Sequence, residues 1–245
     1  MAWSWFSVCF LALLSSEVVP GEAQTPSWIS GNLQGMMFSV MNGGNVRFRS
    51  DNPANITGLT VCLRVLTKQQ SYGIQLTLEN QTDFVRLDGF PNSMHRLYVS
   101  GSSVSFDWYF SVASYVERWP WKNRCFTWES SSGMAQLWLD GTMSVRKGVA
   151  RGQVFSGQVE LSLYQFEGQL SDVYVWDRAL SVQELFNFLY YNYNFPPSSI
   201  LNWQWIQYST SGYTVLEPKL VRPSSVKTHR RKKQKKDQAL RRRIF

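Results

Sequence analysis

Cys62 and Cys125, the carboxylates Asp83, Asp88, Glu160 and Glu167, the histidines His95 and His229, and a run of cations near the C-terminus have the types that could do chemistry. Scattered carboxylates could supply the acid and base of a glycosidase, so an extracellular glycan-acting enzyme is one reading. Ordinary surface charge is the simpler one. Neither histidine has a nucleophile or an orienting carboxylate at a spacing that suggests a relay. No Cys/His cluster has the spacing of a zinc site. No catalytic set stands out among these residues.

The cysteines bear on compartment. A third one, Cys9, lies in the N-terminal segment WSWFSVCFLALLSS, which is apolar but short. EVVPGEA follows, with Gly21 and Ala23 as the small residues of a cleavage site. Residues 1–23 therefore read as a secretory signal peptide, although no Lys or Arg precedes the apolar run. An uncleaved anchor is the alternative. Against it, Ser4, Ser7, Ser15 and Ser16 interrupt a run already short for a membrane span. If Cys9 leaves with the signal, Cys62 and Cys125 remain. An even count in an exported chain favours a disulfide over two buried thiols. Two N-glycosylation sequons, Asn55-Ile56-Thr57 and Asn80-Gln81-Thr82, lie beside expected strand ends and make Asn55 and Asn80 candidate glycan sites.

Charge separates the chain into parts. Residues 24–221 carry 14 Lys and Arg against 14 Asp and Glu, while residues 222–245 carry 11 cations and one Asp. The net charge of +8 thus belongs to the tail and says nothing about the face of a folded domain. Beyond Val221 there is little to bury, and disorder in isolation is expected. Arg230, Arg231, Lys232, Lys233, Lys235, Lys236, Arg241, Arg242 and Arg243 form clusters that attract anionic surfaces or heparin-like chains, with no specific reading of nucleic acid. Removal by a basic-specific protease and a tail without a role are the other readings.

The elements that must position these residues are mostly strands. LTVCLRVL (59–66) places Leu59, Val61, Leu63 and Val65 on one face and Thr60, Cys62 and Arg64 on the other. GIQLTLEN, DFVRLDG, HRLYVSG, VSFDWYF, VELSLY (159–164) and LSDVYVW (170–176) continue the pattern. MAQLWLDGTMSV predicts a hairpin turning at Asp140-Gly141. The spacing has no strand–helix–strand rhythm, so the fold class is all-β, an antiparallel two-sheet sandwich. One helix is predicted from 182 to about 190. Ser181 and Glu184 make a capping box, Leu180 and Leu185 a staple, and Val182, Leu185, Phe186 and Leu189 an apolar face. Continuation of YYNYNF as a strand is the alternative. With 11 Trp, 11 Tyr and 15 Phe, a real core is expected. Trp128, Trp138, Trp176, Trp203 and Trp205 are assigned to core and interface, and Trp119-Pro120-Trp121 to a loop buried against the helix side.

Asn123-Arg124-Cys125-Phe126-Thr127-Trp128-Glu129-Ser130 resembles the pentraxin signature, His-x-Cys-x-Ser/Thr-Trp-x-Ser/Thr. Cys125, Thr127, Trp128 and Ser130 match, and Asn123 replaces the His. LTVCLRV around Cys62, SSSGMAQLWLDGTMSVRKG, SDVYVWDRALSVQELFNFLY and LNWQWIQYSTSGYTVLEPKLV extend the likeness over residues 24–221, to the short pentraxins. The resemblance implies a jelly-roll with the helix on one face and a Cys62–Cys125 disulfide. It also implies a secreted homopentamer that binds phosphocholine, phosphoethanolamine or anionic glycans in innate immunity. A degenerate member without small-ligand activity is the alternative.

The resemblance also implies calcium, which needs about six to eight oxygen ligands. The family draws them from an early Asp-Asn pair and from a later Gln-Glu-Gln-Asp loop. Here ENQTDF (79–84) offers Asp83 for the first place. For the second, Gln165 is followed at once by Phe166-Glu167-Gly168-Gln169, so the loop is missing and a direct hairpin is expected in its stead. Glu160, Glu167 and Gln169 complete the candidate ligands. The expectation is a calcium site weakened or lost.

Overall fold

The computed structural model describes residues 27–79, 81–91, 94–107, 121–190, 196–198 and 200–219, with the backbone alone at 81–83. In chain order the elements are β1 (Ile29–Gly31), β2 (Met36–Arg49), β3 (Ala54–Ile56), β4 (Gly58–Leu66), β5 (Gly73–Leu78), β6 (Gln81–Gly89), β7 (Met94–Val99), β8 (Ser102–Asp107), β9 (Lys122–Glu129), β10 (Met134–Leu139), β11 (Thr142–Met143), β12 (Lys147–Gly148), β13 (Phe155–Gly157), β14 (Val159–Tyr164), β15 (Gly168–Trp176), α1 (Val182–Leu189), β16 (Leu201–Asn202) and β17 (Ile206–Pro218).

The strand pairs are antiparallel, and the main sheet runs β11-β10-β9-β4-β15-β2-β14-β5-β6-β7-β8. β2 is the strand on which this sheet turns. β17 follows one of its edges from Met36 to Arg49; on the other edge β15 takes Phe38–Val40 and β14 takes Arg47–Arg49. Asn42 and Gly43 of β2 have φ of 51° and 76°, the kind of local irregularity that bends a strand. The two halves of the curled sheet face each other as the layers of the jelly-roll. Phe155 of β13 meets Phe84 of β6 and Trp128 of β9 at centroid distances of 4.9 and 5.8 Å. Each such side chain removed from water contributes about 1.5–3 kcal/mol.

The Asp140-Gly141 hairpin forms, with φ of 52° and 82° joining Leu139 to Thr142. Two positive φ values match the right-handed twist of the flanking strands. Both faces of β4 are covered: Thr60, Cys62 and Arg64 are as buried as the apolar face. Thr60 donates to Arg178 O and accepts from Leu180 N–H just before α1, Cys62 is in the disulfide, and Arg64 meets Phe188 of α1.

The Ser181 capping box closes α1. Glu184 accepts a hydrogen bond from the Ser181 backbone N–H at 2.8 Å and donates its own to Ser181 Oγ at 3.4 Å. Leu180 and Leu185 are both buried. The buried face of α1 is Leu185, Phe188 and Leu189, with Val182 46% exposed and Phe186 half-buried. Val182 is therefore not part of it. Phe188 packs edge-on to Tyr174 at 5.9 Å, and Phe186 to Trp138 at 6.0 Å. Trp121, Trp128, Trp138, Trp176 and Trp203 are buried. Trp205 is 59% exposed, since it sits in the turn before β17, where its N–H donates to Asn202 O. Trp119, Pro120 and residues 191–195 of YYNYNF lie outside the described residues.

Candidate ligand-binding site

The link from β14 to β15 is three residues long, 165–167. It is not a hairpin: β14 and β15 do not pair, and each meets β2 at a different end. The chain steps from one layer to the other. Gln165 turns it with φ of 53°, and Phe166 is buried edge-on against Tyr72 at 5.3 Å. Gly168 follows with φ of 142°, where a Cβ would lie 2.4 Å from Leu66 O. Only glycine tolerates both that conformation and that approach.

Glu167 serves this turn with its N–H, its carbonyl and one carboxylate oxygen. Its N–H donates to Gln69 Oε1 at 2.6 Å, its carbonyl accepts from Thr67 Oγ1 at 2.5 Å, and its carboxylate accepts from Asn42 N–H at 3.1 Å. Gln169 is opposite Ser39 of β2 and Leu66 of β4. Glu160 stands opposite Arg49 and Thr77, and its carboxylate pairs with Arg47 at 3.4 Å. The backbone of Asp83 runs beside Leu76–Leu78, at the Glu160 end of β14; its side chain lies outside the description.

The candidates therefore fall into two groups. Asp83 and Glu160 are at one end of β14, Glu167 and Gln169 past the other. Four residues of β14, 161–164, lie between Glu160 and the link, a span of roughly 16 Å at the rise of an extended chain. Calcium binds oxygens at roughly 2.3–2.6 Å, so these residues do not fit around one ion. The segment that does lie beside the 165–167 turn is Thr67–Tyr72, not Glu79–Phe84. Among the described residues no three His, Cys, Asp or Glu side chains gather.

The signature residues explain themselves by packing. Cys125 faces Cys62 in register across β9 and β4, and the two form a disulfide. Trp128 donates its indole N–H to Val149 O at 3.0 Å. Thr127 is buried opposite Thr60. Ser130 donates its hydroxyl to Gln153 O and its N–H to Thr57 O. The set ties β9 to β4 and to the segment after β12.

Asn123, at the His position of the signature, has a definite role. It is buried, accepts from Arg64 Nε at 3.0 Å and donates to Leu189 O at 3.5 Å. Arg64 gives Nη1 to Asp172 at 2.8 Å and Nη2 to Phe188 O at 2.5 Å, with its guanidinium 4.5 Å from the Phe188 ring. The last turn of α1 has no basic residue of its own. Arg64 and Asn123 answer carbonyls that a helix end leaves without partners. Lys219 also reaches Asp172 and lies 4.6 Å over Trp121. Burial alone would raise the Asp172 carboxyl; Arg64 and Lys219 together hold it below its ordinary value. Burial pushes the Lys219 ammonium down, with Asp172 opposing. Alternation in β4 does not say what stands above Arg64, so only the helix placed there reveals this network.

Asn55 is exposed on β3, accepting from Ser156 Oγ at 2.9 Å, with Thr57 exposed beside it. Asn80 and the cationic tail from Arg230 to Arg243 lie outside the described residues. No helix of the described residues is long and apolar enough to cross a membrane.

This is a lectin-like antiparallel sandwich, with α1 on one side and a polar sheet surface on the other. Residues 44–218 match the Pentaxin family model, and the chain belongs to that family. It is 31% identical to the C-reactive protein of Sus scrofa over 181 residues, covering 67% of this chain and 78% of that one. It is 34% identical to the serum amyloid P-component of Cavia porcellus over 110 residues, covering 39% of this chain and 48% of that one. Its fold superposes on the heptameric SAP-like pentraxin from Limulus polyphemus with a TM-score of 0.64 at 16% identity, over 76% of this chain and 96% of that one.

Proposed function

We propose that this is a secreted pentraxin-type binding protein whose recognition no longer depends on calcium. The observation that carries the reading is the three-residue link at 165–167, which leaves Glu160 and Glu167 far apart and occupied with protein partners. In this reading residues 1–23 direct export, residues 24–221 form the binding domain, and residues 222–245 are a cationic tail. Asn55 and Asn80 carry glycans. The subunits close into a homo-oligomer, with a pentamer as the family's expectation. Ligands are phosphocholine, phosphoethanolamine or anionic glycans of innate immune targets, bound with no bond broken. The tail adds long-range attraction to polyanions, which weakens as salt rises.

The test is binding of the secreted protein to immobilised phosphocholine, phosphoethanolamine and heparin, in calcium and in EDTA. Equal binding to at least one surface in both buffers is expected. Binding to these surfaces that EDTA abolishes would overturn the reading.

A further inference from the structure

A second feature lies at the Gln158 end of β14, away from the 165–167 turn. Trp28, Arg49, Thr77, Leu78, Glu79, Gln158 and Glu160 line a cleft of about 480 Å³, a size typical of small-ligand sites. Trp28 is half-buried, with the guanidinium carbons of Arg47 and Arg49 at 5.6 and 5.5 Å from its ring. Those contacts fix an aromatic surface just before β1. Arg47 pairs with Glu160 at 3.4 Å and Arg49 with Glu79 at 3.7 Å. Gln158 braces the floor, accepting from Arg49 Nη2 and donating to Ser50 O at 2.6 Å.

The charges balance. A phosphate placed here would meet two lining carboxylates, Glu79 and Glu160, and an ammonium would meet the lining guanidinium of Arg49, with Arg47 paired to Glu160 just outside the lining. What the cleft does offer is an aromatic ring, fixed donors on arginine, acceptors on partly exposed carboxylates, and the Thr77 hydroxyl. Sugar rings match that set, since they carry an apolar C–H face and hydroxyls that both donate and accept. The Glu79 side chain is 62% exposed, so its carboxylate can reach a ligand without breaking the floor.

We propose that this cleft binds an uncharged pyranose residue of a glycan without a metal ion. The inference rests on the reading of the chain as a binding protein and adds a ligand class and a location to it. The site is about 20 Å from the 165–167 turn by strand length.

The experiment is saturation-transfer NMR on the full secreted protein in EDTA. The probes are methyl β-D-glucopyranoside, methyl β-D-galactopyranoside, methyl α-D-mannopyranoside and the methyl glycoside of N-acetylglucosamine. Transfer to the ring C–H protons of at least one probe is expected. It should weaken about tenfold in Trp28→Ala and in Glu79→Ala, the factor carried by one lost aromatic or charged contact. Glu167→Gln should leave it unchanged. If Trp28→Ala fails to fold, the exposed Glu79→Ala decides. No transfer to any probe, equal transfer in a folded Trp28→Ala and in Glu79→Ala, or transfer that needs calcium would overturn the proposal. Heparin and phosphocholine binding by the same preparation separates this failure from failure of the broader reading.

Discussion

Replacing Arg64 with Met should destabilise the domain more than any surface charge change. The Arg64 side chain is 4% exposed. It donates to Asn123 Oδ1, Asp172 and Phe188 O, and lies over the Phe188 ring. Methionine fills similar volume but donates nothing. Asn123 Oδ1 then loses its donor, at about 1–3 kcal/mol, while Phe188 O keeps the Tyr190 N–H. Asp172 is only partly stranded, because Lys219 and Ser171 still reach it. That places the loss near the lower end of the range for a broken buried ion pair, about 3 kcal/mol. For a domain of this size the thermal midpoint moves by about 2–4 °C per kcal/mol, so a drop of roughly 6–12 °C is expected. Differential scanning calorimetry of the secreted protein reads it directly. Pairing the change with Asp172→Asn should give a smaller combined loss than the sum, because the two share one network. A shift within about 2 °C would refute the claim that this network carries the helix face.

Other consequences follow from single contacts. Arg178 first, then Ser181, holds the Glu184 carboxyl at about 2, against its ordinary 4.5. A carboxyl depressed by folding contributes stability above its unfolded value and loses it as pH falls toward the folded one. Acid melting between pH 4.5 and about 2 should therefore flatten in Glu184→Gln, which also costs about 1 kcal/mol at neutral pH; an unchanged acid limb would contradict this. Gly73→Ala places a Cβ 1.8 Å from the Tyr164 ring. Tyr164 must then swing away from Asp88, to which its hydroxyl donates; the cost is about 1–3 kcal/mol in urea unfolding, and a wild-type midpoint would rule it out. The Cys62–Cys125 bond closes 63 residues of chain, so Cys62→Ala with Cys125→Ala should lose roughly 4 kcal/mol. An unshifted melting midpoint would deny that role.

The strands, the Asp140-Gly141 turn and the Ser181–Glu184 cap were readable because each depends on residues close in sequence. Local alternation and turn chemistry set them whatever lies above. What escaped depends on which surface covers which. Thr60, Cys62 and Arg64 alternate with the apolar face, yet all three are buried, Arg64 under the end of α1 more than a hundred residues later. Val182 keeps helical spacing with Leu185 but falls at the rim of the contact, leaving Phe188 to take its place. The short link after Gln165 was visible only against the pentraxin pattern that the sequence resembles. Its path was not, because a hairpin and a step between layers need the same few residues. The candidate ligands Asp83 and Glu167 fall apart for a related reason: β5, from Gly73 to Leu78, carries the chain from one end of β14 to the other. The Trp28 cleft joins four distant segments, and no spacing marks it.

Calcium titration calorimetry on the chelator-stripped secreted protein bears most directly on the central claim. No saturable heat is expected up to roughly 1 mM calcium, the concentration at which extracellular calcium modules fill. Saturable binding with a fixed number of ions per subunit would contradict it, and would require the 165–167 segment to gather ligands that this structure holds apart.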